Sequence, residues 1–349
     1  MGLFGGAVLL LRRSGLLIAV LLPASAFLTA APTFGATIAD WEMNEPAGAT
    51  TMHDSSGSNL DGTIGSAVAT GVVSDGATVY RWPSGNRWGS AHPERLIRVD
   101  SSLLDPGTAD FVVVMRFQTS STGDQNIIQK GQATSTGGMW KIPLFGGKIG
   151  CNFLGVVHRS AVWSRETVAD GQWHTIRCER RSTGVTLTLD GGAPKINHTW
   201  TGSISNHWRL SIGGKAQCDG GVTVGCDYFV GSIDHITVSR PECQGEVATI
   251  TGTSDADDLV GTAGRDVIVA YGGADQIRAG GGDDLICAGK GADQVHGGPG
   301  GDRIYGQDGD DVLAGDRGND IIWGGSGFDS ARGGRGSDTC HSVERARSC

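Results

Sequence analysis

Residues 252–338 align in consecutive nine-residue units that read GTSDADDLV, GTAGRDVIV, AYGGADQIR, AGGGDDLIC, AGKGADQVH, GGPGGDRIY, GQDGDDVLA, GDRGNDIIW, GGSGFDSAR and GGRGSD. Position 6 is aspartate in every unit, and position 4 is glycine in every unit except the first, which has Asp255. Position 8 is Leu, Ile or Val in the first eight units, and it is Ala331 in the ninth and Cys340 in the tenth. A register kept over ten units indicates a repeat architecture rather than a linker that is merely rich in Gly and Asp.

Each unit has a turn-forming part and a strand-forming part. The first six residues are rich in Gly and Asp and favour a turn, and the last three suit a very short strand. We therefore predict a flattened parallel β-roll in which two units complete one coil and unit n stacks on unit n+2. One predicted column of aspartates contains Asp257, Asp275, Asp293, Asp311 and Asp329, and the other contains Asp266, Asp284, Asp302, Asp320 and Asp338.

The charge of the repeats requires a cation. Residues 251–338 hold 16 Asp against seven Lys or Arg, a net charge of −9. Stacked strands lie about 4.8 Å apart, so bare carboxylates in one column would repel each other. Calcium takes six to eight oxygen ligands from carboxylates and carbonyls, whereas zinc prefers His and Cys. Low hydrophobicity with high net charge predicts that the segment is disordered without several bound Ca²⁺ ions.

These units resemble the RTX, or haemolysin-type, calcium-binding repeat with the pattern G-G-x-G-x-D-x-U-x. The resemblance implies that the ten aspartates and the carbonyls of the glycine turns hold calcium. The first unit departs from the pattern at Thr253 and Asp255, and the second at Thr262. The last two units lack the aliphatic residue, so the region from Tyr271 to Trp323 fits the pattern best.

The chain begins with a segment typical of export signals. Arg12 and Arg13 precede the apolar run Gly15–Leu22, and small residues follow. We expect a signal peptide over residues 1–36, cleaved after Ala26 or Ala36, and a secreted, extracellular protein. The arginine pair leaves twin-arginine export open beside the ordinary route. The apolar run is too short to span a bilayer as a stable helix, and we predict no transmembrane segment.

Eight cysteines, an even number, fit an oxidising compartment. Their spacing is not C-x-x-C, which disfavours a structural zinc site or a redox motif. Eight cysteines allow 105 pairings. The arrangement that we favour pairs Cys218 with Cys226, Cys340 with Cys349, Cys243 with Cys287, and Cys151 with Cys178.

Residues 37–240 are predicted to form an all-β sandwich. Phe111–Phe117 is an apolar run interrupted by Arg116, and Val185, Leu187 and Leu189 alternate with polar residues. Four stretches resemble the laminin-G/concanavalin-A-like lectin family: Ile38–Glu45, His53–Ile64, Asp170–Gly191 and Phe229–Val238. The resemblance implies a jelly-roll sandwich of two curved sheets. It does not identify a ligand, because members of such a fold differ in function.

Some members of that family hold a structural calcium ion at the rim of a sheet. Asp54, Asn59 and Asp61 are candidate oxygen ligands here, and Asp219 and Asp227 are weaker ones. The alternative is that these residues cap a loop through Asx turns.

We expect no catalytic site. Glycosidases of this fold use paired strand carboxylates, for which Asp40, Glu42 and Glu45 are the candidates, but the E-x-D-x-E pattern is absent. We therefore interpret these three residues as ordinary exposed carboxylates. His174 belongs to a structural motif beside Trp173. Four tryptophans are candidates for stacking on sugars, although core packing would explain them equally well: Trp82, Trp88, Trp140 and Trp163.

The sequence thus predicts a sandwich over 37–240, a linker over 241–249, a calcium-binding roll over 250–338 and a tail over 339–349. The expected role is adhesion or glycan binding at a cell surface or matrix. A polysaccharide hydrolase and a purely structural surface protein remain alternatives. The acidic balance disfavours nucleic acid as a partner.

Overall fold

The computed structural model describes residues 36–84, 93–132, 136–215 and 227–349. Residues 1–35, Trp88, Cys218, Asp219 and Cys226 lie outside these ranges, so what the sequence predicts for them stays a prediction. Within the described residues the fold is all β, with single 3₁₀ turns at Pro93–Arg95 and Ser102–Leu104. None of the described helices has the length and apolar character that a membrane span requires.

The first half of the fold consists of two eight-stranded antiparallel sheets, A and B, with strands numbered in chain order. Sheet A contains β1 (Ala36–Trp41), β4 (Ala69–Ser74), β5 (Ala77–Trp82), β7 (Phe111–Gln118), β12 (Trp173–Arg181), β13 (Gly184–Leu189), β14 (Lys195–Asn197) and β16 (Gly231–Arg240). Sheet B contains β2 (Thr51–Met52), β3 (Gly62–Ile64), β6 (Ile97–Val99), β8 (Gln125–Lys130), β9 (Met139–Phe145), β10 (Lys148–Leu154), β11 (Arg159–Trp163) and β15 (Leu210–Ile212). Strands far apart in sequence are neighbours: β7 lies between β12 and β16, and β15 between β8 and β6.

Alternating side chains of both sheets fill one core. Phe111, Val113, Met115 and Phe117 of β7 are all fully buried, whereas Arg116 is only partly buried. The Cys151–Cys178 disulfide is confirmed, and it joins β10 of sheet B to β12 of sheet A. It therefore ties the two layers together through the core rather than joining strands within one sheet.

The second half of the fold is a parallel roll of two six-stranded sheets, C and D. Sheet C contains β19 (Ile250–Thr251), β21 (Val267–Val269), β23 (Leu285–Lys290), β25 (Arg303–Asp308), β27 (Ile321–Ser326) and β29 (Thr339–His341). Sheet D contains β20 (Asp258–Val260), β22 (Gln276–Arg278), β24 (Gln294–Pro299), β26 (Val312–Arg317), β28 (Ser330–Arg335) and β30 (Arg345–Arg347). The predicted all-β fold, a sandwich followed by a parallel roll, is confirmed.

The stacking of unit n on unit n+2 is also confirmed. Ile286 of β23 pairs with Ile304 of β25, and Val295 of β24 pairs with Leu313 of β26. The position-8 side chains of both sheets meet in a narrow core that also takes in Ala270, Ala279 and Ala288. The stacked turns leave no room for side chains: a Cβ on Gly309, whose φ is +142°, would clash with the carbonyl oxygen of Gly291.

A hairpin lies between the sandwich and the roll and covers the first coils. It consists of β17 (Glu242–Cys243) and β18 (Glu246–Val247). Cys243 and Ala248 pack on Val267 and Leu285, which point outward from sheet C and would otherwise be exposed. The predicted Cys243–Cys287 disulfide is confirmed and joins this hairpin to the roll.

The tail continues the roll, since β29 and β30 add one strand to each of its sheets. The predicted Cys340–Cys349 disulfide, which closes this tail, is confirmed.

Candidate metal centre

The aspartates at position 6 form two continuous hydrogen-bonded columns. In each column the backbone N–H of one aspartate donates to the Oδ1 atom of the aspartate 18 residues later, as Asp275 does to Asp293 at 2.9 Å. The other steps measure 2.7–3.0 Å and join Asp257 to Asp275, Asp266 to Asp284, Asp284 to Asp302, Asp293 to Asp311, Asp302 to Asp320, Asp311 to Asp329, and Asp320 to Asp338. The backbone register thus fixes one oxygen atom of each carboxylate.

The second carboxylate oxygen is buried and unsatisfied in eight of the ten aspartates. Within the described part of the chain, the Oδ2 atom has no hydrogen-bond partner in Asp275, Asp284, Asp293, Asp302, Asp311, Asp320, Asp329 and Asp338. A buried carboxylate oxygen without a partner carries a large desolvation cost unless a cation approaches it.

The first two aspartates differ from the other eight. Thr253 donates to Oδ2 of Asp257 from its backbone N–H at 2.6 Å and from its hydroxyl at 2.9 Å. Thr262 does the same for Asp266, at 2.7 and 2.9 Å. The two threonines stand at position 2 of their units, where the repeat pattern has glycine. Their hydroxyls donate to the Oδ2 atom, which has no hydrogen-bond partner in the other eight aspartates.

In the later units the free Oδ2 atom lies against the glycine at position 1 and close to backbone oxygen. A Cβ atom built on Gly306 would clash with Oδ2 of Asp311 and lie 2.6 Å from the carbonyl oxygen of Gly324. One built on Gly297 would meet Oδ2 of Asp302 and the carbonyl oxygen of Gly315 in the same way. Glycine at position 1 therefore keeps a small oxygen-lined cradle open beside Asp302, Asp311, Asp320, Asp329 and Asp338, whereas alanine stands at position 1 in the units of Asp275, Asp284 and Asp293.

The columns hold carboxyl groups whose pKa values are raised. Burial, together with the charge of neighbouring aspartates, raises the pKa of Asp302 to about 7 and of Asp284 and Asp311 to about 6. Burial also raises the pKa of Asp275 to about 6 and raises those of Asp293 and Asp320. In each case the hydrogen bond to Oδ1 opposes the shift without cancelling it. Without a cation these carboxyl groups therefore bind a proton more tightly than an exposed aspartate does.

These donors fit calcium. A hard cation with flexible geometry takes carboxylate and carbonyl oxygens together, which are the atoms that line each cradle. Among the described residues, no three His, Cys, Asp or Glu side chains converge on one point. Each cradle instead combines one free Oδ2 atom with backbone carbonyl oxygens.

Other side chains close the ends of the columns. At the C-terminal end, Glu344 Oε2 accepts the N–H of Asp329 at 2.7 Å, where the next coil would supply an aspartate. At the N-terminal end, the hydroxyl of Thr249 donates to Oδ1 of Asp266 at 3.2 Å. Sequence reasoning missed Glu344, because it lies outside the nine-residue register.

A model of the RTX calcium-binding nonapeptide repeat matches residues 251–286, 288–322 and 315–342, and a laminin G domain model matches residues 126–240. The chain combines a laminin G domain with RTX calcium-binding repeats. The first model covers the aspartate columns, so the calcium that we predicted for the repeats is supported. The models that match describe a binding domain and a repeat, and neither describes a catalytic family. No curated protein sequence matches the chain.

Several solved structures align with part of this chain at low identity. The binding domain of Paraclostridial Mosquitocidal Protein 1 aligns with a TM-score of 0.44 and 12% identity, over 59% of this chain and 49% of that one. The binding domain of botulinum neurotoxin serotype D aligns with a TM-score of 0.42 and 13% identity, over 59% and 48%. Mouse laminin alpha1 domains LG4-5 align with a TM-score of 0.31 and 18% identity, over 40% and 42%. This chain spans about half the length of the two toxin domains, and likenesses at this level give no argument about a ligand.

In the sandwich, Asp54 organises a loop with all of its acceptor capacity engaged. Its Oδ1 accepts the backbone N–H groups of Asp40 and Ser56, and its Oδ2 accepts that of Leu60 and the hydroxyl of Ser56. Burial alone would raise the pKa of Asp54, but the hydrogen bonds from Leu60, Asp40 and Ser56 outweigh it and hold the pKa below its usual value. Asp61 in turn accepts the N–H of Asp54 at 2.8 Å. This geometry is that of the Asx-turn alternative.

The three candidate catalytic carboxylates are each engaged by a neighbour. Asp40 pairs with His235, and Glu42 accepts from Asn44 at 2.7 Å. The expectation that all three are exposed holds only for Glu42: Asp40 is partly buried, and Glu45 is buried and accepts from the N–H of His53 and the hydroxyl of Tyr80.

The candidate sugar-stacking tryptophans separate into two kinds. Trp82 and Trp140 are buried in the core, and each indole N–H donates to a backbone carbonyl, so neither is available to a sugar. Trp163 is 37% exposed and contacts Phe145, which is 61% exposed, edge to face at 6.3 Å. The six-membered ring of Trp163 lies over Gly150, which is the cross-strand partner of Trp163. A Cβ atom on Gly150 would be 2.8 Å from that ring.

The ring nitrogens of His174 contact Asp190 at 2.7 Å and Asp170 at 3.1 Å, and its structural role stays a prediction.

Proposed function

We propose that this chain is a secreted, calcium-stabilised glycan-binding protein that acts at a cell surface or matrix and is not an enzyme. Its proposed parts are an export signal (1–36), a binding module (37–240), a linker (241–249), the RTX roll (250–338) and a tail that caps the roll (339–349). The ten position-6 aspartates are the proposed metal ligands. The eight with a free Oδ2 atom are the strongest, and Asp257 and Asp266 are the weakest.

The observation that carries the binding role is the exposed aromatic platform formed by Trp163 and Phe145. Gly150 supports one face of the Trp163 ring, so the ring lies flat on the sheet. A flat, partly exposed indole that is held in place by its neighbours suits the apolar face of a sugar ring at low entropic cost. The alternative of a polysaccharide hydrolase has less support, because Asp40, Glu42 and Glu45 are each held by a neighbour.

A glycan array probed with the full chain in millimolar calcium tests this proposal. We expect binding to a subset of glycans, and we expect Trp163→Ala to weaken it at least tenfold. Trp200→Ala is the matched control, since Trp200 is 41% exposed but lies in a loop after β14, and a Cβ on Gly150 would meet Trp163 and not Trp200. Equal binding by wild type and Trp163→Ala, or no glycan bound at all, would contradict the platform. Release of reducing sugars from a polysaccharide panel would favour the hydrolase.

A further inference from the structure

Sheet D of the roll carries a cluster of exposed arginines near its C-terminal end. We call it the arginine face, and it consists of Arg317, Arg332, Arg335, Arg345 and Arg347. The formal net charge of the whole chain is −9, so this concentration of positive charge runs against its average. The nonapeptide pattern does not require it, because these residues occupy variable positions of the repeat and the tail.

The register of the sheet places like charges beside each other. Arg317 pairs with Arg335 on neighbouring parallel strands, and Arg332 pairs with Arg347. Such strands lie about 4.8 Å apart, and like charges directly opposite each other destabilise a sheet.

Arginines of the early coils are arranged differently. Arg278 pairs with Asp258 at 2.6 Å, and Arg265 pairs with Glu246 at 2.7 Å. Within the described ranges, no carboxylate forms an ion pair with any member of the arginine face. The arginine face therefore has uncompensated charge on a rigid support.

The arginine face borders a groove of about 440 Å³. Three guanidinium-bearing residues, Arg317, Arg332 and Arg335, line it together with Gly298, Pro299, Asp316 and Gly334. The glycines let a ligand approach the backbone closely. Asp316 contributes one negative charge to the groove and pairs with His296 at 3.0 Å.

We propose that this groove binds an acidic polysaccharide through its carboxylate or sulfate groups. Guanidinium groups bind such oxyanions in a bidentate manner, and an anion between Arg317 and Arg335 would remove the repulsion between them. Duplex nucleic acid carries one charge per about 1.7 Å of its axis, and the acidic chain and Asp316 disfavour so dense a polyanion. More widely spaced anionic groups match the groove better. This site lies on the roll and is independent of the Trp163 platform.

Fluorescence anisotropy with labelled oligosaccharides tests the proposal on the full chain at fixed calcium concentration. The probes are a sulfated heparin hexasaccharide, a polygalacturonate hexasaccharide and a neutral dextran hexasaccharide. We expect at least one acidic probe to bind, with an affinity that falls as salt rises, and the neutral probe not to bind. The double variant Arg317→Gln/Arg335→Gln should weaken binding at least tenfold and reduce the slope of log affinity against log salt.

Arg303→Gln is the matched control, because Arg303 is exposed on the opposite sheet, C, and its removal lowers the charge without touching the groove. We expect the affinity of Arg303→Gln for the acidic probes to stay within twofold of wild type. Circular dichroism should show that all variants remain folded in calcium. Equal losses in the control and the double variant would mean non-specific attraction and would overturn the site. Failure of both acidic probes to bind would overturn it too, as would tighter binding to duplex DNA or to phosphatidylglycerol vesicles.

Discussion

The backbone N–H of Asp293 donates to Oδ1 of Asp311 at 2.9 Å across one full coil of the roll. The Oδ2 atom of Asp293 is buried and has no hydrogen-bond partner among the described residues. In eight of the ten carboxylates one oxygen atom therefore holds the coils in register, and the other is left for a cation.

Removal of calcium should unfold the roll and spare the sandwich. Ions that bind only the folded form stabilise it by mass action, and the roll has a narrow core with many buried carboxylates. In excess chelator we expect the amides of β25 and β26 to lose protection from hydrogen exchange, while those of β7 and β12 keep it. Unchanged protection of the roll in chelator would contradict calcium-coupled folding.

Substitutions within the aspartate columns should differ in their effect on calcium binding. Asp293→Asn keeps the Oδ1 acceptor but weakens the free oxygen, and as an interior residue Asp293 would affect the proposed calcium sites on both sides. We expect the number of ions counted by calorimetric titration to fall more than in Asp338→Asn, which lies at a column end. Asp257→Asn is the control, because Thr253 already satisfies its Oδ2 atom. Equal losses in all three variants would contradict the distinction between free and satisfied carboxylates.

The calcium-free roll should be more stable in acid than at neutral pH. The pKa of Asp302 is about 7 in the fold, well above the unfolded value of about 3.9, so the folded form binds protons more tightly. The resulting stability is present in full below about pH 4 and is lost as the pH rises through 6 to 7. In chelator, circular dichroism should therefore show more β structure at pH 4.5 than at pH 7.5.

Calcium competes with the same protons, so its affinity should fall as the pH drops from 7.5 to 5.5. Asp302→Asn should reduce both effects. A calcium-free roll that gains structure as the pH rises would refute the sign of this linkage.

The Cys243–Cys287 disulfide should contribute more to stability than the Cys340–Cys349 disulfide. The Cys243–Cys287 disulfide joins residues that are 44 positions apart, and the Cys340–Cys349 disulfide joins residues that are 9 apart. For loops of these lengths the chain-entropy relation gives a stabilisation of about 4 and about 2.5 kcal/mol. We expect the double serine variant at 243 and 287 to show the larger loss in urea unfolding in calcium. A larger loss from the variant at 340 and 349 would show that the C-terminal closure matters more than the linkage of the hairpin to the roll.

Lys130 and Asp105 form a buried ion pair in the sandwich at 3.1 Å, with 2% and 6% of their side chains exposed. Lys130→Met should destabilise the sandwich by about 3–5 kcal/mol, because Asp105 would stay buried without its partner. Arg209→Met is the control, since its pair with Asp100 is exposed and such pairs contribute about 0–1 kcal/mol. Thermal unfolding of both variants measures the difference, and similar small losses would contradict the importance of burial.

The sequence alone determined the roll and its register. The nine-residue period fixes where each turn and strand begins, so it predicts that Asp293 lies between Asp275 and Asp311. The period is local and repeated, so a unit that departs from the pattern does not change the predicted register of the units beside it. The sequence also suggested the pairing of Cys243 with Cys287, but eight cysteines allow 105 pairings and the structure decided this one.

Only the tertiary structure decided which groups satisfy each carboxylate and which surfaces are covered. The nine-residue pattern marks Thr253 as a departure, but it does not reveal that its hydroxyl occupies the free side of Asp257. Glu344 replaces an aspartate from outside the register, and Trp82 and Trp140 are core residues although Trp163 is exposed. The physical reason is that a short period specifies the backbone path, whereas burial and hydrogen-bond partners depend on residues that are distant in sequence and meet only when the sheets pack.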